Sequence, residues 1–183
     1  HTGKTPPCVD ALIEAGVRRV VIGCLDPNPG STGGAAKLQR AGIDVTVGEC
    51  ADEAAELIAP FARRITTGLP YVIAKWAATA DGSIATTTGD SQWISNDRSR
   101  REVHRLRARV DAILVGIGTA LADDPMLTAR QVRVRRVARR VVIDPRFDLE
   151  PGSRLLNSVD EARLTMAGHR SVLQRGQRRI DDA

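Results

Sequence analysis

Apolar residues along the chain fall into two rhythms. Val17 to Cys24, which holds Val20-Val21-Ile22, reads as a buried strand, and Ile43 to Val47 as another. Around them the spacing is helical. Pro6-Pro7 opens a helix through Ile13 that Gly16 stops, and Gly34 to Ala41 forms a second that ends at Gly42. Helix, strand, helix, strand over residues 1–47 implies parallel pairing, with Asp26 to Ser31 as a loop. A longer helix follows from Cys50 to about Ile65, with Asp52 and Glu53 at the positive end of its dipole and Pro60 kinking it.

The rhythm breaks at Thr66-Thr67-Gly68-Leu69-Pro70, which reads as a linker, and resumes with a strand from Tyr71 to Trp76. Asp81-Gly82 marks a tight turn. A charged helix is predicted from Asp97 to Arg109, capped by Asn96 or Ser95. Val103, Leu106 and Val110 face inward, while Arg98, Arg101, Glu102, Arg105 and Arg109 form a solvated face on which His104 is exposed. Asp111 to Gly116 reads as a central strand, Gly116 to Thr119 turns it into a short helix, and Arg139 to Asp144 is the next strand. From about Asn157 the sequence looks irregular. The expected organisation is an α/β chain with a first unit at 1–65, a linker at 66–70 and a second unit at 71–183.

Composition narrows the class. Hydrophobic residues make up 42% and aromatics 3%, so the core must be aliphatic, as in sheets covered by helices. No apolar run reaches the length of a membrane span and no signal peptide is visible. Three cysteines give no disulfide framework; Cys24 is expected as a buried free thiol and Cys50 as inert, which fits a reducing cytoplasm. The formal charge is +5, carried far more by Arg than by Lys, which suits an anionic ligand. The run Arg133 to Arg140 would also permit non-specific nucleic-acid contact. Beginning at His1 and stopping at Asp181-Asp182-Ala183, the chain reads as part of something longer.

The candidate chemistry lies between Lys75 and Arg130. There stand Ala80-Asp81-Gly82, Gly89-x-Ser91-x-Trp93-Ile94, Arg107, and Thr119-x-Leu121-Ala122-Asp123-Asp124-Pro125-x-Leu127-Thr128-x-Arg130. Near the start, His1-Thr2-Gly3-Lys4-Thr5-Pro6-Pro7-Cys8 forms a second motif. Together they resemble the bifunctional deaminase–reductases of riboflavin biosynthesis, the RibD family, over roughly residues 1–157. The resemblance implies the C-terminal part of a cytidine-deaminase-like α/β/α domain followed by the N-terminal half of a dihydrofolate-reductase-like domain. It further implies zinc in the intact deaminase domain, NADPH in the reductase, and a phosphoribosyl-pyrimidine substrate. The reductase copies would pair into a homo-oligomer, with no specific nucleic acid and no membrane as partner.

Residue by residue, the resemblance puts Cys8 at the last zinc cysteine. It puts Ala77, Trp93, Thr119 and Asp123 at cofactor contacts, and Ser91, Arg107, Leu127 and Arg130 at substrate contacts. Each makes physical sense: a helix-start thiol favours the thiolate, an indole offers a flat face to a ring, and a guanidinium clamps phosphate bidentately. Asp124 is left structural. No catalytic residue is assigned, because the deaminase Glu and the other zinc ligands would precede His1. The Val-Glu-Gly-Gly-type segment of the reductase is absent, and Pro145 replaces a serine common in relatives. Two other readings stand beside this one: a catalytically incomplete remnant with a structural or interaction role, and an Arg-rich nucleic-acid or partner-binding module.

Overall fold

A short aliphatic run satisfies its backbone only beside another strand, and the two near the start of the chain satisfy each other. In the computed structural model, which describes residues 6–168, β1 (Arg19–Ile22) pairs in parallel with β2 (Asp44–Val47). The register runs from Arg19↔Asp44 to Ile22↔Val47, and the Arg19 and Asp44 side chains face each other at 3.6 Å. The parallel crossover contains α2 (Gly34–Arg40), and α1 (Cys8–Glu14) is tied to it by the Lys37–Asp10 ion pair. Leu38 and Ile43 are the buried apolar residues of this unit. Cys24, expected to be buried, is only half-buried, because β1 ends at Ile22 and leaves the thiol in the following turn.

The long helix α3 (Ala51–Thr67) runs on past the expected end at Ile65 and is continuous through Pro60. Thr66 and Thr67, read as linker, are its last turn. Their hydroxyls donate back to the carbonyls of Ala62 and Arg63 at 2.8 and 2.7 Å, and Gly68 then terminates the helix at φ 71°. Gly23 marks a close approach of strand end to helix. A Cβ there would sit 2.5 Å from the Ala54 methyl and 3.3 Å from the Glu49 carbonyl oxygen. Gly23→Ala should therefore destabilise this unit by about 1–3 kcal/mol, the usual cost of overpacking. Chemical denaturation followed by the far-ultraviolet signal checks this; an unchanged midpoint would remove the close packing.

Contacts divide the chain into His1–Lys75 and Trp76–Ala183, five residues beyond the expected start of the second unit. The strand predicted at Tyr71 to Trp76 does not form. Among the described residues no strand lies beside it to complete its hydrogen bonds, and Tyr71, Val72, Ile73 and Trp76 are exposed.

The second unit is built on three parallel strands in the order β3 (Ala112–Gly116), β4 (Arg139–Ile143), β5 (Leu164–Ala167). Asp111 to Gly116 was expected to be central, yet β3 is an edge strand of this sheet and β4 is the middle one. The segment beyond Asn157 is also more regular than its composition suggested. Leu164–Ala167 is β5, paired with β4 from Arg140↔Leu164 to Ile143↔Ala167, and it is preceded by α6 (Arg154–Asn157). Four residues with a single aromatic-free apolar alternation are too short to announce a strand; the neighbouring β4 edge makes them one.

Helix α4 (Asp97–Arg107) precedes β3, and α5 (Ile117–Asp123) follows it directly. Asn96 caps α4 by accepting the Ser99 N–H at 2.9 Å. The core packs Ala120 of α5 and Leu127 against Val142, Leu149 and Leu155, with Ile113, Val115 and Met166 around them. Asp144, fully buried at the end of β4, accepts the N–H groups of Asp148 and Leu149 at 3.0 Å each and so closes the turn after the strand.

Candidate functional site

The loop that leaves α5 lines one side of a cleft. Asp124 ends the helix at φ 37° and its carboxylate accepts the Arg154 N–H at 2.8 Å, a structural duty. Leu127 and Gln131 also adopt left-handed backbone, both at φ 57°. Such conformations cost of order 1 kcal/mol in non-glycine residues and persist only where packing holds them. For Leu127 the holder is its own side chain, 4% exposed and locked into the core cluster. The loop is thus pinned at Leu127, and the next residues, Thr128, Ala129 and Arg130, wrap one side of a cleft of ≈ 170 Å³. Arg107, from the last turn of α4, lines the same cleft, as do Arg136 and Glu161.

The electrostatics of this cleft favour an anion. Burial, reinforced by the nearby Arg130 charge, holds the Arg107 guanidinium below its ordinary pKa. Among the described residues neither Arg107 nor Arg130 has a carboxylate within ion-pair distance. Beside them the Thr128 hydroxyl oxygen is buried with no hydrogen-bond partner. Two guanidinium groups without a carboxylate partner in one concavity are what a phosphate-bearing ligand would satisfy.

Of the expected site residues, Arg107, Leu127 and Arg130 come together in this cleft; the others do not line it. Leu127 takes part mainly as an anchor, since its side chain belongs to the core. Ser91 and Ala77 are half-buried, and Trp93 is 71% exposed. Arg100 lies over the Trp93 ring at 4.5 Å from its centroid, while its guanidinium also reaches the Ser95 carbonyl and Asp97. Thr119 and Asp123 are exposed on α5. Upstream, Asp81 sits in a turn closed by the Thr79 N–H to Ser83 carbonyl bond at 2.9 Å, with Gly82 at φ 87°. The Thr79 hydroxyl bonded to the Asp81 carboxylate holds that carboxyl below its usual range.

Cys8 is exposed at the first residue of α1. Among the described residues no group of three or more His, Cys, Asp or Glu side chains could hold a metal. The residues present do not by themselves fit a tetrahedral zinc site.

Three features escaped the sequence reading. His104, expected on the solvated face, is half-buried and accepts the Arg130 N–H through Nδ1 at 3.2 Å. Its position three residues before Arg107 puts both on one side of α4, a signal the sequence did hold. Thr128 was passed over beside Leu127 and Arg130. Arg140, read as part of a basic run, is fully buried. Arg136 is also engaged, paired with Asp111. The 133–140 segment is therefore not a continuous basic patch, and the nucleic-acid reading loses its support.

Parallel strands joined by helices, with Arg107 of α4 and Arg130 of the loop after α5 lining one cleft, define an α/β domain with a basic cleft. Sequence comparison makes this specific: the chain belongs to the RibD C-terminal domain family, whose pattern matches residues 70–178. The riboflavin biosynthesis protein RibD of Aquifex aeolicus is 46% identical over 159 residues, which is 86% of this chain and 45% of that protein. RibD of Mycobacterium tuberculosis strain H37Rv is 48% identical over 170 residues, covering 91% of this chain and 49% of the relative. Among solved structures, a diaminohydroxyphosphoribosylaminopyrimidine deaminase/5-amino-6-(5-phosphoribosylamino)uracil reductase from Thermotoga maritima superposes with a TM-score of 0.80 at 41% identity. It matches 92% of this chain and 47% of its own. Acinetobacter baumannii RibD gives 0.74 at 36% identity over 95% of this chain and 51% of its own. The chain thus spans about half the length of the relatives it matches.

Proposed function

We propose that this chain supplies part of a bifunctional riboflavin-pathway enzyme, the end of a pyrimidine deaminase domain followed by the start of an NADPH-dependent reductase domain. The domain junction falls in the stretch between α3 and the Thr79–Ser83 turn. In the reductase, Arg107 and Arg130 bind the phosphate of a phosphoribosyl-pyrimidine. The single observation that carries this reading is the pair of guanidinium groups, without a carboxylate partner among the described residues, that line one cleft. The exposed Trp93 face and the first-turn Thr119 of α5 suit a flat ring and an anion, and would serve NADPH. The cofactor supplies the hydride; the protein's own residues bind and orient the ribosyl phosphate. Ser91 and Asp123 complete the proposed substrate and cofactor contacts, respectively. Zinc chemistry belongs to ligands beyond Cys8 and no step is assigned to it here. The engagement of Arg136 and Arg140 within the fold favours this reading over a nucleic-acid module. Among the described residues no helix is long and apolar enough to cross a membrane.

The test is ribose 5-phosphate binding to the 183-residue chain, followed by NMR titration. Arg130→Ala should weaken it by about 1.5–3 kcal/mol, the scale of a hydrogen bond to a charged group, or about 10- to 150-fold. Equal affinity in wild type and variant, or no binding by the wild type, defeats the proposal.

A further inference from the structure

An arginine on a loop serves an anion only if the loop holds its place, and Arg130 is itself exposed. Leu127 anchors the loop on one side, but two residues separate that anchor from Arg130, and Gln131 immediately after it is in left-handed backbone. The contact that fixes Arg130 directly comes from another element. Its backbone N–H donates to His104 Nδ1 at 3.2 Å, a bond between residues 26 positions apart in sequence. His104 lies on α4 one turn before Arg107, and both arginines act on its imidazole. The geometry therefore joins three things at one point: the helix face that carries one arginine, the loop that carries the other, and the cleft between them.

We propose that His104 is a positioning residue for the anion site, whose neutral ring accepts the Arg130 N–H and so holds the Arg130 guanidinium across the cleft from Arg107. This rests on the assignment of Arg107 and Arg130 to phosphate. The acceptor role needs Nδ1 to be free of a proton, with any ring hydrogen on Nε2. The surroundings enforce that. Burial is the largest influence lowering the His104 pKa below its ordinary 6.5, followed by the charges of Arg107 and Arg130, while a backbone hydrogen bond at Thr128 pushes the other way. Arg107 reaches it from its own helix and Arg130 from the loop; Arg136 and Glu161 are the other charged groups lining the cleft. Near neutrality the ring is uncharged and the bond stands. As pH falls through the depressed pKa, Nδ1 gains a proton and becomes a donor facing the Arg130 N–H. Two donors cannot share the contact, and the loop is released. Protonation also adds a positive charge near the cleft, which on its own would strengthen anion binding, so the two effects have opposite signs and can be told apart.

The experiment uses the 183-residue chain, its His104→Asn and His104→Leu variants, and sulfate as a probe whose charge is constant from pH 5.5 to 8. Asn places an oxygen near the site of Nδ1 and can accept the same N–H without titrating; Leu cannot accept it. Two quantities are read at pH 7.5, Arg130 amide hydrogen exchange without ligand and sulfate affinity by NMR titration. His104→Leu is expected to lose the amide protection and to bind sulfate about tenfold more weakly, the equivalent of one hydrogen bond. His104→Asn is expected to restore both. Lowering the pH until the NMR shifts of the His104 ring show it protonated should weaken sulfate binding by the wild type relative to His104→Asn. Unchanged affinity in His104→Leu, or wild-type affinity that holds or rises at low pH relative to His104→Asn, overturns the positioning role. A wild type that protects the Arg130 amide but binds no sulfate defeats the anion site itself, and the proposal with it.

Discussion

Arg140→Met should lower the stability of the second unit by about 3–5 kcal/mol, because four buried oxygens would each lose a charged donor at about 1 kcal/mol. Alternation along β4 turns Arg140, Val142 and Asp144 to the same side, and all three are fully buried. The guanidinium has no carboxylate in contact. Its two terminal nitrogens donate to oxygen dipoles instead, the Met126 carbonyl at 3.2 Å, the Ser158 hydroxyl and carbonyl at 2.7 and 2.8 Å, and the Ala162 carbonyl, while Nε is buried without a partner. These bonds tie the α5–β4 loop to the α6–β5 turn through the middle strand. Burial pulls the Arg140 pKa down, with the Glu161 charge opposing, yet four hydrogen bonds keep the cation in place. Methionine has similar length and no donors, so three carbonyls and a hydroxyl would lose their partner inside the protein, each at about 1 kcal/mol or more. Both tryptophans, Trp76 and Trp93, lie in the second unit, so their fluorescence reports its unfolding in guanidinium. A loss below about 1 kcal/mol would mean that the network does not hold this unit together.

Leu127→Ala is expected to cost about 2–5 kcal/mol, the range for removing a buried leucine side chain without full collapse of the space. Its effect should also reach the cleft. Leu127 is the buried anchor from which Thr128 and Arg130 project, and its left-handed backbone is held only by that anchor. Alanine keeps the strained backbone and discards the contacts that offset it. Leu127→Gly removes the same contacts but relieves the strain, so it should be no less stable than the alanine variant, reversing the usual penalty for glycine. Sulfate affinity should fall in both. If Leu127→Ala retains full stability and loses only ligand affinity, the side chain acts as a direct substrate contact and not as an anchor.

The elements themselves were largely legible. Short segments rich in Val and Ile marked β1, β2, β3 and β4 within one or two residues, and Asn96 ahead of a charged periodic stretch marked the start of α4. These are local signals, set by side-chain volume, backbone freedom and capping chemistry. Tyr71 to Trp76 has the same strand-like composition and remains unpaired, whereas Leu164–Ala167 has almost none of it and forms β5. A strand is a property of two segments, and a sequence window shows only one. The site followed the same division. Arg107 and Arg130 could be named from the motif they share with a family. Thr128 and His104 could not, because what distinguishes them is a missing hydrogen bond in one case and an N–H from 26 residues away in the other.

From residue order alone, then, came the α/β class, the parallel pairing of β1 with β2, the aliphatic core and the family with its arginine-rich ligand chemistry. Each depends on composition, periodicity or motif, which need no knowledge of neighbours in space. Only the tertiary structure decided which arginines are free to bind. It turned Arg140 inward among carbonyls, paired Arg136 with Asp111, and left Arg107 and Arg130 facing a cleft with no carboxylate partner among the described residues. All four carry the same charge in the sequence. Burial and the identity of the nearest oxygen, which arise only when distant segments meet, give them different work.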